Sequence, residues 1–478
     1  MPKISISAGP IRITIRASVS VRGNAHPGRR RTRRRSVATV LAVLAGLGAA
    51  AVALALLVSF AVGSGHGGNA AGTGGGAFSP AVVRTRRPPT GYTVTFRYRD
   101  PSATSVQLEG EWFFSSPART SPSSSQGLLP SQWKPGDFPI GSPNNTSPVG
   151  DGWPVVSMTE DRASGVWSYT IPLPSGDFNY GFLLNCPSAI GRNSFATNCP
   201  ERSDPSNPPW NERNGVTVGT VEPTSQVYVP SDPAFRTGND DWQAPTSPRG
   251  ALADVSYPPD LGSPEPSGYN RLAIYTPPGY DRHRATPYPT LYLGIDQNEV
   301  DWSTRDDAAN ILDNLIDKHE IKPLVAVMTA FDFDCQGDDA GAFAQNLSGQ
   351  VLPYAQSRYD VSREPSQRAF LGASCGGGAA AAMLVNDPST FGYMGVISAI
   401  PDAVVSGAQA RAIKHVGVMV GGGKQDPLHY LAAQEVSDLH HAGVKFTADF
   451  INGGDSWYVW RILLRDFLTR VAFKPTGG

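Results

Sequence analysis

The sequence predicts an α/β domain built on a doubly wound, mostly parallel sheet, preceded by an all-β sandwich and by one N-terminal transmembrane helix. Three patterns predict this order: a long apolar run near the N-terminus, short alternating strands in the middle, and strands that alternate with helices towards the C-terminus. A chain of 478 residues exceeds what one hydrophobic core usually organises, so we expect at least two domains.

The N-terminal segment is predicted to cross a membrane. Residues 37–62 contain no ionisable side chain and are rich in Leu, Val and Ala, and this run is longer than the roughly 20 residues that span a bilayer. A cleaved signal peptide is the alternative, but its apolar region is usually only about 7 to 15 residues long. Six arginines between Arg29 and Arg35 flank the run, so the positive-inside rule leaves residues 1–36 in the cytoplasm as a basic arm. We therefore expect a single-pass protein of the cell membrane whose C-terminal domains are extracytoplasmic.

Several classes of partner are not predicted. The net charge is −1, and the membrane flank explains the basic run, so we expect no nucleic-acid partner. No histidine or cysteine cluster has the spacing of a metal site. The stretch Gly421 to Lys424 lacks the Ser or Thr that follows the lysine of a phosphate-binding loop. The sequence therefore predicts no metal and no cofactor.

The middle of the chain predicts an all-β domain between two linkers. Residues 63–91 are dominated by Gly, Pro and Ser, which is typical of a flexible tether, and residues 233–264 are assigned to a second linker. Between them, residues 92–232 contain short alternating segments divided by Gly, Pro and Ser turns, as in a β-sandwich. The predicted strands are 94–98, 106–110, 165–171, 178–184 and 226–229, with a surface insertion at 115–152.

Four stretches of this domain carry a resemblance. They are Val94 to Tyr98, Val106 to Trp112, Gly165 to Trp167 and Asp204 to Pro208. In them the domain resembles the early-set, immunoglobulin-like modules found beside glycan-active enzymes and at the N-terminus of enterochelin-esterase-like proteins. Trp112, Trp153 and Trp210 would stack on a sugar if they were exposed and would fill the sandwich core if they were buried.

The C-terminal region, residues 265–474, predicts the α/β domain. Repeated strand and helix patterns give a doubly wound parallel sheet, with the active residues on loops at the carboxyl ends of its strands. The predicted strands are 271–275, 288–293, 324–329, 367–371, 393–397, 416–420 and 444–450, and the predicted helices are 308–316, 342–354, 377–385, 431–441 and 457–468.

One motif in this domain points to a nucleophile. The residues Gly372-Ala373-Ser374-Cys375-Gly376 fit the G-x-S-x-G pattern, in which a serine lies on a strained turn between a strand and a helix. Ser374 is the candidate nucleophile, and the backbone N–H groups of Cys375 and Ile295 are the candidate oxyanion donors. Asp426 follows the strand 416–420, in the order serine, acid, base; an ordinary loop or helix-capping aspartate is the alternative.

Further stretches extend the match beyond the motif. They are Tyr275 to Tyr280, Ile311 to Ile316, Ile321 to Met328, Gly422 to Asp426, and Gly453 to Arg461. With the motif, they resemble the esterase family of α/β-hydrolases, which includes enterochelin esterases, feruloyl and acetyl-xylan esterases, S-formylglutathione hydrolases and mycolyltransferases. The resemblance implies a serine esterase or acyltransferase that acts on a small-molecule or cell-envelope ester.

The catalytic base is the main departure from that family. Its members carry a histidine in a motif such as G-G-H-x-W, and alignment on Gly453, Gly454 and Trp457 places Asp455 at that position. A carboxylate with an ordinary pKa of about 4 is a poor acceptor of a serine proton near neutrality. His429 is the candidate substitute, with a structural histidine as the alternative. Two functions therefore stay open: an esterase or acyltransferase with an unusual base, and a non-catalytic relative that binds a cell-envelope ligand or partner.

Four cysteines allow two disulfides in an oxidising compartment. Cys186 and Cys199 flank one polar loop and are candidates for pairing, with two free thiols as the alternative. Cys335 ends a predicted strand and Cys375 follows Ser374, so both are expected at the same edge of the sheet, where a bridge is an open question.

Overall fold

The computed structural model describes residues 78–119, 127–140, 153–186, 201–213, 216–217, 224–257, 271–296, 301–331, 339–399, 405–427 and 429–474. The predicted cytoplasmic arm, 1–36, and the predicted transmembrane helix, 37–62, lie outside these residues. Among the helices that are described, none has the length and apolar character needed to cross a membrane. All described residues belong to one compact unit, Asn69–Gly478.

The N-terminal part of this unit is a β-sandwich. Two four-stranded antiparallel sheets, ordered β1-β2-β8-β7 and β12-β9-β3-β6, share one core in which Val94, Phe96, Leu108 and Phe182 are buried. The predicted all-β sandwich is therefore present. Its strands, with those of two small two-stranded sheets, are β1 (Ala81–Arg84), β2 (Tyr92–Arg99), β3 (Val106–Gly110), β4 (Phe113–Ser115), β5 (Phe138–Ile140), β6 (Val155–Ser157), β7 (Thr159–Asp161), β8 (Val166–Pro172), β9 (Gly176–Leu184), β10 (Glu212–Arg213), β11 (Val216–Thr217) and β12 (Ser225–Val229).

The three tryptophans singled out in the sandwich sequence are buried or half-buried. Trp112 and Trp153 are only 1% and 2% exposed, and Trp210 is half-buried, with its Nε1–H donating to Ser303 Oγ at 2.9 Å. Trp112 belongs to the sandwich core, whereas Trp153 packs in the core of the C-terminal sheet, so the sandwich-core interpretation is correct for Trp112 and wrong for Trp153. In the predicted surface insertion, Phe138 and Ile140 of β5 are buried as well, so its described part packs inwards.

The C-terminal part is an eight-stranded sheet in the order β13-β14-β16-β15-β17-β18-β19-β20. The pairs β13–β14 and β14–β16 are antiparallel, and all later pairs are parallel. This is the mostly parallel sheet that the sequence predicts. The strands are β13 (Ala251–Ser256), β14 (Arg271–Thr276), β15 (Thr290–Asp296), β16 (Val325–Phe331), β17 (Arg368–Ala373), β18 (Tyr393–Ile397), β19 (Gly417–Gly423) and β20 (Thr447–Ile451).

Helices cover both faces of this sheet. One core joins the sheet to α1, α2 and α8, and a second core on the opposite face joins it to α3, α4, α5, α6 and α7, as expected for a doubly wound fold. The helices are α1 (Asp301–Thr304), α2 (Ala308–Asp317), α3 (Asp339–Asn346), α4 (Leu352–Arg358), α5 (Cys375–Asn386), α6 (Gly407–Ile413), α7 (His429–His441) and α8 (Trp457–Arg470), with a π turn at Leu347–Val351.

The structure differs from the predicted linkers at two places. Strand β1 lies within the predicted linker 63–91 and pairs with β2, and strand β13 lies within the predicted linker 233–264 and pairs with β14. Both are edge strands with exposed positions. Since an edge strand needs few apolar residues, its periodicity is weak, and the sequence pattern did not reveal it.

Candidate active site

Ser374 lies on a sharp turn between β17 and α5. Its backbone has φ 54° and ψ −121°, a conformation that non-glycine residues rarely adopt. The turn is held on both sides: the Ser374 N–H donates to the Ile397 carbonyl at 3.1 Å, and the Ser374 carbonyl accepts from the Gly378 N–H at 3.1 Å. The strand, turn and helix that the motif requires are therefore present.

The two outer glycines of the motif are required by close backbone approaches. A Cβ atom on Gly372 would lie 1.8 Å from the Gly376 carbonyl oxygen, and one on Gly376 would lie 2.1 Å from the Gly294 carbonyl oxygen. No side chain fits at either position, because real Cβ atoms do not approach so closely. The glycines thus allow the turn to fold back on itself and to lie against the end of β15.

The Ser374 hydroxyl is available to a ligand. The residue is half-buried, and no hydrogen bond joins its Oγ to another residue in the described ranges. The Oγ is also absent from the buried polar atoms that lack a partner, so it remains accessible to solvent. Its position at the N-terminus of α5 places it where the helix dipole favours developing negative charge.

The two candidate oxyanion donors lie beside this turn. Cys375 is the first residue of α5, so its N–H lies outside the intrahelical hydrogen-bond ladder. Strand β15 pairs with β17 only as far as Gly294 and Gly372, and Ile295, which is 1% exposed, comes next. The Ile295 nitrogen would lie 2.9 Å from a Cβ on Gly376. The Ile295 nitrogen thus lies close to the motif, next to Cys375, and the role of both N–H groups as oxyanion donors stays a prediction.

The two described cysteines are both disulfide-bonded. Cys186 and Cys375 carry no free thiol, while Cys199 and Cys335 lie outside the described residues. A bonded Cys375 cannot act as a thiolate nucleophile, which leaves Ser374 as the nucleophile candidate of the motif.

The candidate acid and the residue at the histidine position lie on two loops that bind each other. The Lys424 N–H donates to the Ile451 carbonyl at 2.8 Å, and the Gln425 N–H donates to the Gly453 carbonyl at 2.9 Å. The Gly453 N–H in turn donates to Gln425 Oε1 at 2.8 Å. Asp426, which is 7% exposed, and Asp455, which is half-buried, therefore follow β19 and β20 at the same edge of the sheet.

His429 is close to Asp426 in the backbone, but its ring lies elsewhere. The His429 N–H donates to the Asp426 carbonyl at 3.0 Å, whereas the imidazole packs edge-on against Phe450, with ring centroids 4.9 Å apart. Its Nδ1 is buried without a hydrogen-bond partner. In the part of the chain that the structure describes, no hydrogen bond joins a histidine to Ser374. Ser374, Asp426 and Asp455 thus lie at the carboxyl ends of strands of one sheet, and none of the described imidazoles is hydrogen-bonded to the serine.

Two supporting residues were not identified from the sequence. Ser398 directly follows Ile397, has the strained φ of 44°, and accepts a hydrogen bond from Trp460 Nε1–H at 3.4 Å. Gln425 binds the Gly453 amide, as described above. Both act through contacts between distant segments, so no local pattern marks them.

Within the described ranges, no group of three or more His, Cys, Asp or Glu residues is arranged to hold a metal ion.

Several solved structures are similar to this chain. The enterobactin esterase of Shigella flexneri aligns with a TM-score of 0.47 and 16% identity, over 82% of this chain and 94% of its own. A feruloyl esterase module from Clostridium thermocellum aligns with a TM-score of 0.41 and 20% identity, over 50% of this chain and 94% of its own.

Two curated proteins match in sequence. The endo-1,4-beta-xylanase/feruloyl esterase of Xylanibacter ruminicola is 30% identical over 168 residues, and the match covers 32% of this chain and 23% of that protein. The uncharacterized protein YbbA of Bacillus subtilis is 25% identical over 147 residues, with 28% of this chain and 57% of that protein covered. The chain thus matches less than two thirds of the length of either relative.

The family model described as Putative esterase matches residues 263–470. This range contains β14 to β20, the turn at Ser374 and the loops that carry Asp426 and Asp455. Residues 263–470 are therefore an esterase-family domain with an α/β-hydrolase fold.

Proposed function

We propose that this chain is a membrane-anchored, extracytoplasmic serine esterase or acyltransferase that acts on a carboxylic ester. The observation that carries the proposal is the geometry of Ser374: a solvent-accessible hydroxyl on a strained turn, at the N-terminus of α5. Such a turn stores strain of about 1–3 kcal/mol, which a purely structural serine would not need.

The chemistry assigned to the site follows from these positions. The Ser374 Oγ attacks the ester carbonyl while a base takes its proton, and the N–H groups of Cys375 and Ile295 stabilise the oxyanion. As the tetrahedral intermediate collapses, the base returns the proton to the leaving oxygen, so the alcohol departs and an acyl group stays on Ser374. Water or an acceptor alcohol then removes the acyl group, which makes the protein an esterase or an acyltransferase respectively.

The proton acceptor is the unusual part of the proposal. Asp455 occupies the position of the histidine and Asp426 that of the acid, so a carboxylate must accept the serine proton. A weak base slows acylation but leaves the oxyanion donors and the binding site in place, and such sites retain residual catalysis of about 10³ over water. We therefore expect slow turnover.

Anchoring and location rest on the sequence. The apolar residues 37–62 and the arginines before them support a single transmembrane helix, with the esterase domain outside the cytoplasm. An enzyme held there would meet small-molecule or cell-envelope esters. The immunoglobulin-like character of the sandwich is part of the same proposal, supported by its two antiparallel sheets.

A second candidate function is a non-catalytic protein that binds a cell-envelope ligand or partner in the same cleft. The absence of a hydrogen bond between Ser374 and any described histidine favours it. Under this alternative the turn at Ser374 is retained for its shape alone.

A fluorophosphonate probe separates the two candidates, because it reacts with activated serine hydroxyls. The full-length chain in detergent is compared with its Ser374→Ala variant. We expect a label on the parent chain that the variant lacks. If the two chains label equally or not at all, the enzyme proposal is wrong and the binding function takes its place.

A further inference from the structure

Helix α8 begins two residues after Asp455, and it is buried on two sides. One face, with Trp457, Trp460 and Leu464, packs on the central sheet. A second face contacts segments that precede the esterase domain. Tyr458 packs against the paired strands β4 and β5, at Phe113, Phe138 and Ile140. The Arg465 guanidinium lies 4.7 Å from the ring centroid of Trp242.

Arg461 lies in the middle of this second face. It is 2% exposed, and its NH1 donates to the Asp177 carbonyl of strand β9 at 2.7 Å. Its NH2 donates to Glu111 Oε2 at 3.3 Å, and also to the backbone carbonyl of Arg305. A cation of the esterase domain is therefore neutralised by the β-sandwich inside the protein.

Glu111 and its neighbour Asn179 also hold the end of α1. Asn179 Nδ2 donates to Glu111 Oε2 at 3.1 Å and to the Arg305 carbonyl at 3.1 Å. The Glu111 N–H donates to the Asn179 carbonyl at 2.9 Å, which fixes the two residues relative to each other. Arg305 directly follows α1, the first described helix after β15. Glu111 and Asn179 thus contact both α8, which follows Asp455, and the end of α1.

A third contact connects α8 with the residues that hold the backbone of Ser374. Trp460, next to Arg461, donates to Ser398 Oγ. Ser398 follows Ile397, whose carbonyl accepts the Ser374 N–H. A displacement of the first turns of α8 would therefore reach the support of the nucleophile as well as the loop of Asp455.

We call the contacts of Glu111, Asp177 and Asn179 with Arg461 and the Arg305 carbonyl the junction. Stability alone does not explain why charged residues form it. A buried ion pair is often no more stabilising than well-packed apolar residues of the same volume, because both charges must be desolvated. Its hydrogen bonds, however, fix direction and distance, which apolar packing does not. A site whose carboxylates, Asp426 and Asp455, lie on two loops needs contacts that fix the position of those loops.

We propose that Glu111 and Asn179 are positioning residues of the esterase site, so that the β-sandwich is a working part of that site. The inference rests on the proposed function, since it assigns these residues a role in the reactivity of Ser374. They touch no substrate atom; they act through Arg461 and the Arg305 carbonyl. Displacing catalytic groups by about 1 Å reduces rates by up to about a hundredfold, so a loosened junction has a measurable effect.

The test measures the rate at which a fluorophosphonate labels Ser374 in the full-length chain, well below the melting temperature. Glu111→Gln removes the charge and keeps the shape, and Asn179→Ala removes one donor while leaving the ion pair. Tyr180→Phe is the matched control, because Tyr180 belongs to the sandwich core and its hydroxyl bonds only within the sandwich among the described residues, donating to Asp204 at 2.8 Å and accepting from Asn207 at 3.1 Å. We expect both junction variants to label about tenfold more slowly and the control to label at the parental rate. Unchanged labelling, or an equal decrease in all three variants, overturns the proposal.

A second measurement keeps the inference testable if the parent chain does not label at all. That result would refute the proposed enzyme function, and amide hydrogen exchange would then decide the positioning role. Faster exchange at residues 451–456 and 301–306 in the junction variants, but not in Tyr180→Phe, supports it. Parental exchange at these two segments overturns it.

Discussion

Replacing Arg461 with methionine tests the buried junction most severely. The substitution keeps an unbranched apolar stem, but it removes the hydrogen bonds that the guanidinium gives to Glu111, Asp177 and Arg305. Glu111 and Asp177 then remain in the interior without their cation. Breaking a buried pair in this way costs about 3–5 kcal/mol of unfolding free energy.

The loss should depend on pH in a defined direction. Burial raises the pKa of Asp177 to about 6 and also raises the pKa of Glu111, while Arg461 opposes both shifts. Without Arg461 both pKa values rise further, so the folded variant holds protons that the unfolded chain has released. Stability then falls as pH rises from about 4 through the folded pKa values. The destabilisation is therefore larger at pH 8 than at pH 5, because the lower pH favours the neutral form of both buried carboxyl groups.

The assay is chemical denaturation of the full-length chain, followed by tryptophan fluorescence at pH 5 and pH 8. Arg470→Met is the control, because Arg470 lies on the same helix but pairs with Asp449 and Asp466 near the surface. An exposed pair contributes about 1 kcal/mol or less. A loss for Arg461→Met as small as that of the control, or one equal at both pH values, would refute the reasoning.

Three further changes test other parts of the account. Asp455→His should raise the hydrolysis of p-nitrophenyl acetate at least about tenfold, because an imidazole accepts a proton near neutrality; an unchanged rate would mean that the site has lost more than its base. Gly376→Ala should lower the melting temperature and abolish labelling of Ser374, since the added methyl would lie 2.1 Å from the Gly294 carbonyl oxygen, and parental labelling would contradict this. Burial raises the pKa of Asp306 well above its usual range, so Asp306→Asn should raise the melting temperature, and by more at pH 8 than at pH 5; a lower melting temperature at pH 8 would show that the carboxylate is needed.

The sequence predicted those parts of the fold that are specified by residues close together in the chain. Strand β18 was predicted with its observed bounds, Tyr393–Ile397, because a buried parallel strand is a continuous apolar run. The turn at Ser374 was predicted from five consecutive residues, since each glycine of the motif is needed by a backbone approach within the same turn or to the adjacent strand. Such patterns do not depend on distant parts of the chain.

The features that the sequence did not predict depend on contacts between segments that are far apart in the chain. Glu111 and Arg461 are 350 positions apart, and each is an ordinary charged residue in its own segment. The edge strand β13 alternates between exposed and half-buried positions, which the pattern did not separate from a linker. The orientation of the His429 ring towards Phe450 also follows from packing between α7 and β20, so the sequence placed the residue near Asp426 without revealing where its imidazole lies.

The central claim is that the Ser374 hydroxyl accepts an acyl group, and trapping the acyl-enzyme tests it most directly. The full-length chain is exposed to p-nitrophenyl acetate, quenched in acid and mapped by peptide mass spectrometry. A weak base slows deacylation as well as acylation, so we predict an acetyl group on Ser374 that is absent from Ser374→Ala. Acetylation confined to lysines or other surface groups, with Ser374 unmodified, would contradict the account.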